Sequence, residues 1–403
     1  MPKSARRTMP ADRAGGQTGR PLRLAYLTNI PTPYRREMIA AWAARNPHLA
    51  IATYYTDQND QGRGWTTAPV GGTVQEHRLA PGIDVPGYGK LNRGLRRMVA
   101  ECDMLMIGGF EQAGYLAAAL WARAMGKPVV LLFDGFSPAR FATDPRSALL
   151  LKRLTARLSD GFFANGTAAA RYLRDRLGGG RNKPLRDQRL SHVAVPIAAA
   201  RRRWQGMPSG AVRQALGLPA GERPVLMSCG YLIERKRIDL TIDAVATLPA
   251  TRRPDLLVMG TGPLQDALAA RARAQGVIAH FPGFRQGDAL ADHYFAADAL
   301  VLSSNDDPWG LVVNEAMDAG LPVLVSDACG AAEDLVRDGV NGHVFPSGDT
   351  AALSGCIAAL LDADPAAMGR ASRDIIAGWT PERSAENLAL LIVDIQAGKR
   401  PQA

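Results

Sequence analysis

The chain has 403 residues, 47% of them apolar and 21% charged, and its 48 Lys and Arg against 38 Asp and Glu give a formal net charge of +10. That length calls for about two or three domains, and that balance excludes a disordered, collagenous or small disulfide-stapled chain. No stretch reaches about 18 uninterrupted apolar residues; the richest window, 116–133, is broken by Arg123 and Lys127, so a spanning helix is excluded as well.

In chain order, residues 1–20 are basic and lack an apolar core, which reads as a disordered arm rather than a secretory signal and points to a cytoplasmic protein. Apolar runs and periodicity then predict strands over 22–28, 49–55, 104–107, 129–133, 161–164 and 192–195, with helices over 34–45, 113–125, 146–158 and 167–177. This is one parallel α/β unit, set at 21–200, in which 178–187 reads as a Gly- and charge-rich loop. Pro208, Gly210, Pro219 and Gly221 mark a linker, set at 201–222. The alternation restarts in 223–378, with strands over 224–228, 256–259, 277–281, 299–302, 322–325 and 343–345. Helices are predicted there over 238–247, 264–275, 289–297, 312–319, 332–337 and 350–361. A last helix over 381–396, within 379–403, follows a complete set and is expected to cross back onto the first domain. Cys102, Cys229, Cys329 and Cys356 lie far apart, so neither a zinc site nor a disulfide framework is indicated, and no metal site is expected.

The most informative segment is 303–323, with Asp307 and Glu315 separated by seven residues, Trp309-Gly310-Leu311 between them, and Gly320-Leu321-Pro322-Val323 after. It resembles the signature of family 4 retaining glycosyltransferases. That resemblance implies the GT-B fold, two facing Rossmann-like α/β domains with an interdomain cleft. Cys329–Glu333 and Gly339–Gly342 are similar to the next two landmarks of that family. Upstream, Gly230-Tyr231-Leu232-Ile233-Glu234-Arg235-Lys236 resembles the turn whose lysine holds the donor diphosphate. Gly260-Thr261-Gly262-Pro263 resembles the second turn, and 277–284, ending in Gly283-Phe284, the segment whose backbone reads the base. In the first half the likeness is thinner, resting on 28–35 with Asn29, Pro33 and Tyr34.

The chemistry fits those residue types. Releasing a nucleoside diphosphate demands preplaced donors and cations, which Lys236 at the start of a helix supplies. A carboxylate such as Glu315 suits the ribose hydroxyls, and Asp307, nearer the strand end, suits the sugar ring and its cationic transition state. Against the family pattern, Tyr231 stands where many members have arginine, with Arg235 or Arg237 as the replacement cation. Asp307 replaces the commoner glutamate, 29–34 replaces a Gly-Gly loop, and Asp134 replaces a first-domain histidine. Each feature alone also has a plain reading: glycines at strand ends serve backbone geometry, and Asp362-Ala363-Asp364 is a helix cap. The expected activity is retaining transfer from a nucleotide sugar, with no cofactor or metal, to a saccharide or polyprenyl-linked acceptor. A nucleotide-sugar epimerase or hydrolase, or a weakly active nucleotide-sugar-binding protein, is the alternative.

Charge is unevenly divided: residues 1–200 hold 29 Lys and Arg against 14 Asp and Glu, residues 201–403 hold 19 against 24. Lys90, Arg93, Arg96 and Arg97 interleave with Leu91, Leu95 and Met98, and Lys152, Arg153 and Arg157 with Leu149, Leu150, Leu151, Leu154 and Leu158. Both read as basic amphipathic helices suited to an anionic membrane surface, the inner face of the cell membrane, while the scarcity of aromatics speaks against nucleic acid.

Overall fold

The computed structural model describes residues 20–57, 69–141, 143, 145–178, 183–189, 195–219 and 221–398. The arm expected at 1–20 lies outside them except for Arg20, and so does the strand expected at 192–195 except for Val195.

The first half runs β1 (Leu22–Thr28), α1 (Pro33–Arg45), β2 (Leu49–Tyr55), β3 (Gln75–Arg78), β4 (Ile83–Asp84), β5 (Lys90–Leu91), α2 (Leu95–Glu101), β6 (Met104–Ile107), α3 (Ala113–Ala124), β7 (Val129–Phe133), α4 (Arg146–Leu158), β8 (Gly161–Ala164), α5 (Gly166–Arg171) and β9 (Leu185–Asp187). The second runs α6 (Ile197–Arg203), α7 (Ser209–Ala215), β10 (Val225–Cys229), α8 (Ile238–Thr247), β11 (Asp255–Met259), α9 (Gln265–Ala274), β12 (Ala279–Gly283), α10 (Gly287–Phe295), β13 (Ala299–Leu302), α11 (Leu311–Ala319), β14 (Val323–Ser326), α12 (Ala331–Leu335), β15 (Gly342–Phe345), α13 (Thr350–Asp362), α14 (Pro365–Ile376) and α15 (Pro381–Gln396).

Two parallel sheets result, ordered β3-β2-β1-β6-β7-β8-β9 and β12-β11-β10-β13-β14-β15. Strands covered on both faces must be apolar throughout, and Met104–Ile107 and Val129–Leu132 are buried along their whole length. In both sheets the order reverses beside the first strand, between β1 and β6 and between β10 and β13. Such a switch point opens a crevice at the carboxyl ends of the strands.

One apolar cluster runs through both halves, taking in Tyr26, Trp42 and Phe163 from the first and Met227, Leu300 and Val313 from the second, with Trp309 and Trp379 between. The C-terminal helix α15 packs on α1, β8 and β9. Its start is capped by Thr380, whose Oγ1 accepts from the Arg383 amide at 3.2 Å, with Pro381 in the first turn. Leu388, Leu391 and Ile392 are buried, and Trp42 Nε1 donates to Ser384 Oγ at 3.0 Å.

Three expectations need correction. The linker at 201–222 contains folded structure: α6 and α7 pack on α10. Trp204 Nε1 donates to Asp292 at 2.6 Å, and the buried Arg213 donates to the Ala296 carbonyl at 2.9 Å. Pro and Gly bound these helices instead of dissolving them. The loop expected at 178–187 ends in a strand, β9, because pairing with β8 and the Arg186–Asp394 ion pair at 2.6 Å supply from outside what Leu185-Arg186-Asp187 lacks in local pattern. The basic helix expected from Lys90 starts only at Leu95. Lys90 belongs to the β4–β5 hairpin and pairs with Asp57 at 2.8 Å.

Candidate active site

The turns after β10, β11 and β12 lock into one another through backbone bonds: Gly230 N donates to Met259 O at 3.0 Å, Leu232 N to Thr261 O at 2.9 Å and Gly260 N to Gly283 O at 3.0 Å. This nesting explains the glycines. A Cβ on Gly260 would lie 1.9 Å from the Gly230 carbonyl oxygen, and one on Gly262 2.4 Å from that of Leu232. Gly260 and Gly262 are therefore required by chain packing, with or without a ligand. The nested turns leave Tyr231 and Phe284 projecting, 57% and 38% exposed.

The first turn continues as a 3-10 segment, Glu234–Lys236, and α8 begins at Ile238. Lys236 Nζ meets Asp307 Oδ2 at 2.6 Å, with side-chain exposures of only 14% and 9%. The lysine and the first signature carboxylate, 71 residues apart, thus form one nearly dry ion pair. Arg235 stays beside them, its Nη1 donating to the Asp306 carbonyl at 2.7 Å. Arg237 does not: it doubles back on Asp239 at 3.1 Å, and both line a separate groove with Leu264 and Arg271. Of the two replacement cations considered, only Arg235 stands at the pair.

Gly310 takes φ of 86° and turns the chain sharply into α11; its carbonyl accepts from the Val313 amide at 2.9 Å, and no side chain caps the helix start. Glu315 follows one turn on and is buried; the Tyr294 hydroxyl donates to its Oε2. Tyr294 is fully enclosed, and burial, reinforced by the Glu315 charge, pushes its phenol well above the usual value, so it remains a donor. Burial and the same charge push the neighbouring Cys229 thiol up to about 12, which leaves it unreactive. Tyr294 carries no local signal in the sequence and was not anticipated. Leu311 is half-buried at the helix start. Trp309 is buried, donates to Asn314 Oδ1 at 2.8 Å through Nε1 and packs tilted against Trp379 with ring centroids 4.8 Å apart. It lies against Gly166 of α5, which makes it a seam residue between the domains.

On the first-domain side, Asn29 Oδ1 accepts from Ile30 N at 2.8 Å and Arg35 Nη1 at 3.0 Å, shaping its own loop. Pro33 opens α1, and Tyr34 packs on the core. Asp134 does not stand free for catalysis. The buried Arg35 donates to its Oδ2 at 2.6 Å and Gln188 to its Oδ1 at 3.0 Å. Glu111, after β6, was not anticipated either: it is solvent-exposed, yet the surrounding loops desolvate its carboxyl and push its pKa up. Among the described residues no group of three or more His, Cys, Asp or Glu is arranged to hold a metal ion. Asp364 caps α14 by accepting from Ala366 N at 2.9 Å, in keeping with the cap reading of 362–364.

Two facing parallel α/β domains whose strand-end loops meet across one cleft define the GT-B class of fold. Residues 213–374 match the family model described as Glycosyl transferases group 1, and that stretch is a domain of that group. The chain is 34% identical over 137 residues to an uncharacterized glycosyltransferase of Methanocaldococcus jannaschii, covering 33% of this chain and 35% of that one. It is 30% identical over 266 residues to a D-inositol 3-phosphate glycosyltransferase of Geodermatophilus obscurus, covering 62% and 57% respectively. The match therefore spans less than two thirds of either relative. Anabaena HepE, solved in complex with UDP, superposes with a TM-score of 0.71 at 19% identity, over 93% of this chain and 100% of that one. At that identity the likeness is one of fold.

Proposed function

We infer that the chain transfers a glycosyl group from a nucleoside-diphosphate sugar to a hydroxyl of a saccharide or lipid-linked acceptor, with retention of anomeric configuration and without an essential metal. The observation that carries this is the Lys236–Asp307 pair at 2.6 Å beside Arg235, on the loop that leads into α11, which carries Glu315 bonded by Tyr294. A diphosphate entering above Gly230 competes for Lys236, and Asp307 is thereby released to accept hydroxyls of the sugar. Glu315, oriented by Tyr294, is the carboxylate for the ribose hydroxyls. The bond from the anomeric carbon to the β-phosphate oxygen breaks, and that carbon bonds to the acceptor oxygen on the same face. The acceptor's proton passes to the departing phosphate oxygen, and Lys236, Arg235 and the α11 amides stabilise the charge that develops.

The acceptor reading draws on the first domain. Helices α2, α3 and α4 lie side by side. They leave Leu120, Trp121, Leu150 and Leu154 exposed beside Arg96, which covers the Trp121 ring at 5.5 Å. Exposed apolar groups among cations suit an anionic lipid surface, where each cation contributes about 1 kcal/mol before screening. Among the described residues no single helix is long and apolar enough to cross a membrane.

The test begins with a thermal-shift screen of nucleoside diphosphates and their sugars, followed by product analysis with and without acceptor and chelator. Transfer with inverted configuration or dependence on added metal overturns those parts of the reading. Sugar release or epimerisation without acceptor favours the hydrolase or epimerase alternative. Sedimentation with anionic but not neutral vesicles, reversed by salt, tests the membrane surface.

A further inference from the structure

We propose that the first-domain turn 135–140 is a template for the donor loop, with Arg140 and Ser137 as positioning residues that hold Asp307 against Lys236; the inference rests on the donor-site reading above. The turn leaves β7 and meets the loop that leaves β13, so the two domains touch here at the carboxyl ends of their sheets. Arg140 reaches across to Asp306, its Nε donating to Oδ2 at 2.9 Å and its Nη2 to the same oxygen. Ser137, 1% exposed, donates its hydroxyl at 2.8 Å to the Ala328 carbonyl, and that carbonyl also accepts from the Asp307 amide at 3.3 Å. One short turn of the other domain thus holds the Asp306 side chain directly and shares with the Asp307 amide its acceptor, the Ala328 carbonyl. From within its own domain the loop has Arg235 on the Asp306 carbonyl at 2.7 Å, the Asn305 amide on the Arg235 carbonyl at 2.9 Å and the Gly330 amide on the Asp307 carbonyl at 3.0 Å, so the first-domain turn adds to a loop already tied along its backbone.

Two further observations make the contact a template and not a chance meeting of surfaces. A Cβ on Gly135, where φ is 144°, would lie 2.5 Å from the Pro308 carbonyl oxygen, so the chains approach as closely as backbone permits. Asp306 Oδ1 is buried without a partner among the described residues, so Arg140 supplies the compensation this carboxylate has from a charged side chain. Without it, a second unscreened carboxylate beside Asp307 competes for Lys236. Closure of the domains at this turn and correct placement of Asp307 are then one event.

The experiment compares Arg140→Ala, Arg140→Asp, Ser137→Ala and the exchanged pair Arg140→Asp with Asp306→Arg in the full chain. Arg171→Ala serves as a seam control, because Arg171 pairs with Glu333 at 3.0 Å away from the donor loop. Because the Arg140 side chain is 56% exposed, its removal leaves the fold intact, as the melting temperature checks. Loss of Arg140 should lower kcat by about tenfold, the scale of a sub-ångström misplacement, with nucleoside-diphosphate affinity unchanged within about twofold. Arg140→Asp should be worse and the exchanged pair should recover most of the loss; Ser137→Ala should fall between. Unchanged kcat in Arg140→Ala and Arg140→Asp, or an equal loss in Arg171→Ala, overturns the template. A wild-type chain that binds no nucleoside diphosphate overturns the donor-site reading and the template together, whereas an active wild type with indifferent Arg140 variants overturns the template alone.

Discussion

The two sheets present their carboxyl ends to the same cleft but build them differently. In the second domain the turns after β10, β11 and β12 touch backbone to backbone, and the charged groups left over, Lys236 and Asp307, face one another at 2.6 Å. In the first, the corresponding loops are tied by side chains: Arg35 joins Asn29 to Asp134, and Gln188 closes the far side. The donor side is thus a rigid frame holding an exchangeable ion pair, and the facing side is a side-chain network in which Arg35 Nε and Gln188 Oε1 are buried without a partner among the described residues.

The largest effect expected from breaking that contrast is at Lys236. Lys236→Ala should reduce turnover by about 100-fold, as for loss of one preorganised donor. It should also destabilise the fold by about 3 kcal/mol because Asp307 is left as a nearly buried lone charge. Adding Asp307→Asn should restore the melting temperature but not the activity; if activity also returns, the pair is structural.

Next is its first-domain counterpart. Arg35→Met leaves Asp134 uncompensated and should also cost about 3 kcal/mol by chemical denaturation, with nucleoside-diphosphate affinity in the surviving folded fraction unchanged. Weakened affinity would move the donor site towards the first domain and dissolve the contrast.

Smaller, and within the second domain, is a division of labour. Calorimetry should find free nucleoside diphosphate bound about tenfold more weakly by Glu315→Gln, the scale of one charged hydrogen bond. Asp307→Asn, which frees Lys236, should bind the free nucleotide no worse than wild type while losing the sugar donor. The opposite pattern exchanges the two roles.

The smallest effect concerns pH. Because desolvation raises the Glu111 pKa in the fold, the folded state favours the protonated form, and ionisation costs stability as pH rises past the unfolded value. Glu111→Gln should therefore raise the melting temperature slightly at pH 7 and leave it unchanged at pH 4. An equal rise at both pH values would assign the effect to packing.

The same contrast explains what the sequence disclosed. Donor-side landmarks were legible because close backbone approach forces glycine at Gly260 and Gly262, and because a loop, a helix and a short turn into β14 follow one another within 303–323. The first-domain network was not, since Arg35 and Asp134 stand 99 residues apart and no local pattern links them. The resemblance puts Asp134 at the place of a first-domain histidine, and that placement discloses nothing of its bond to Arg35. The burial of Trp309 was not legible either, since the ring it packs on, Trp379, lies 70 positions on. Helices α6 and α7 were hidden by Pro and Gly, and they stand because Trp204 and Arg213 reach partners on and after α10.

The return of α15 to the first domain has a consequence for synthesis. Trp42 cannot meet Ser384 until 342 further residues have been made, roughly 17 to 70 s at ribosomal speed. Throughout that interval the first domain is born with an open apolar flank along α1, β8 and β9, a natural place for a chaperone to hold. Nascent chains arrested before Thr380 should accordingly be cut by protease within the first domain, and released full-length chains should resist.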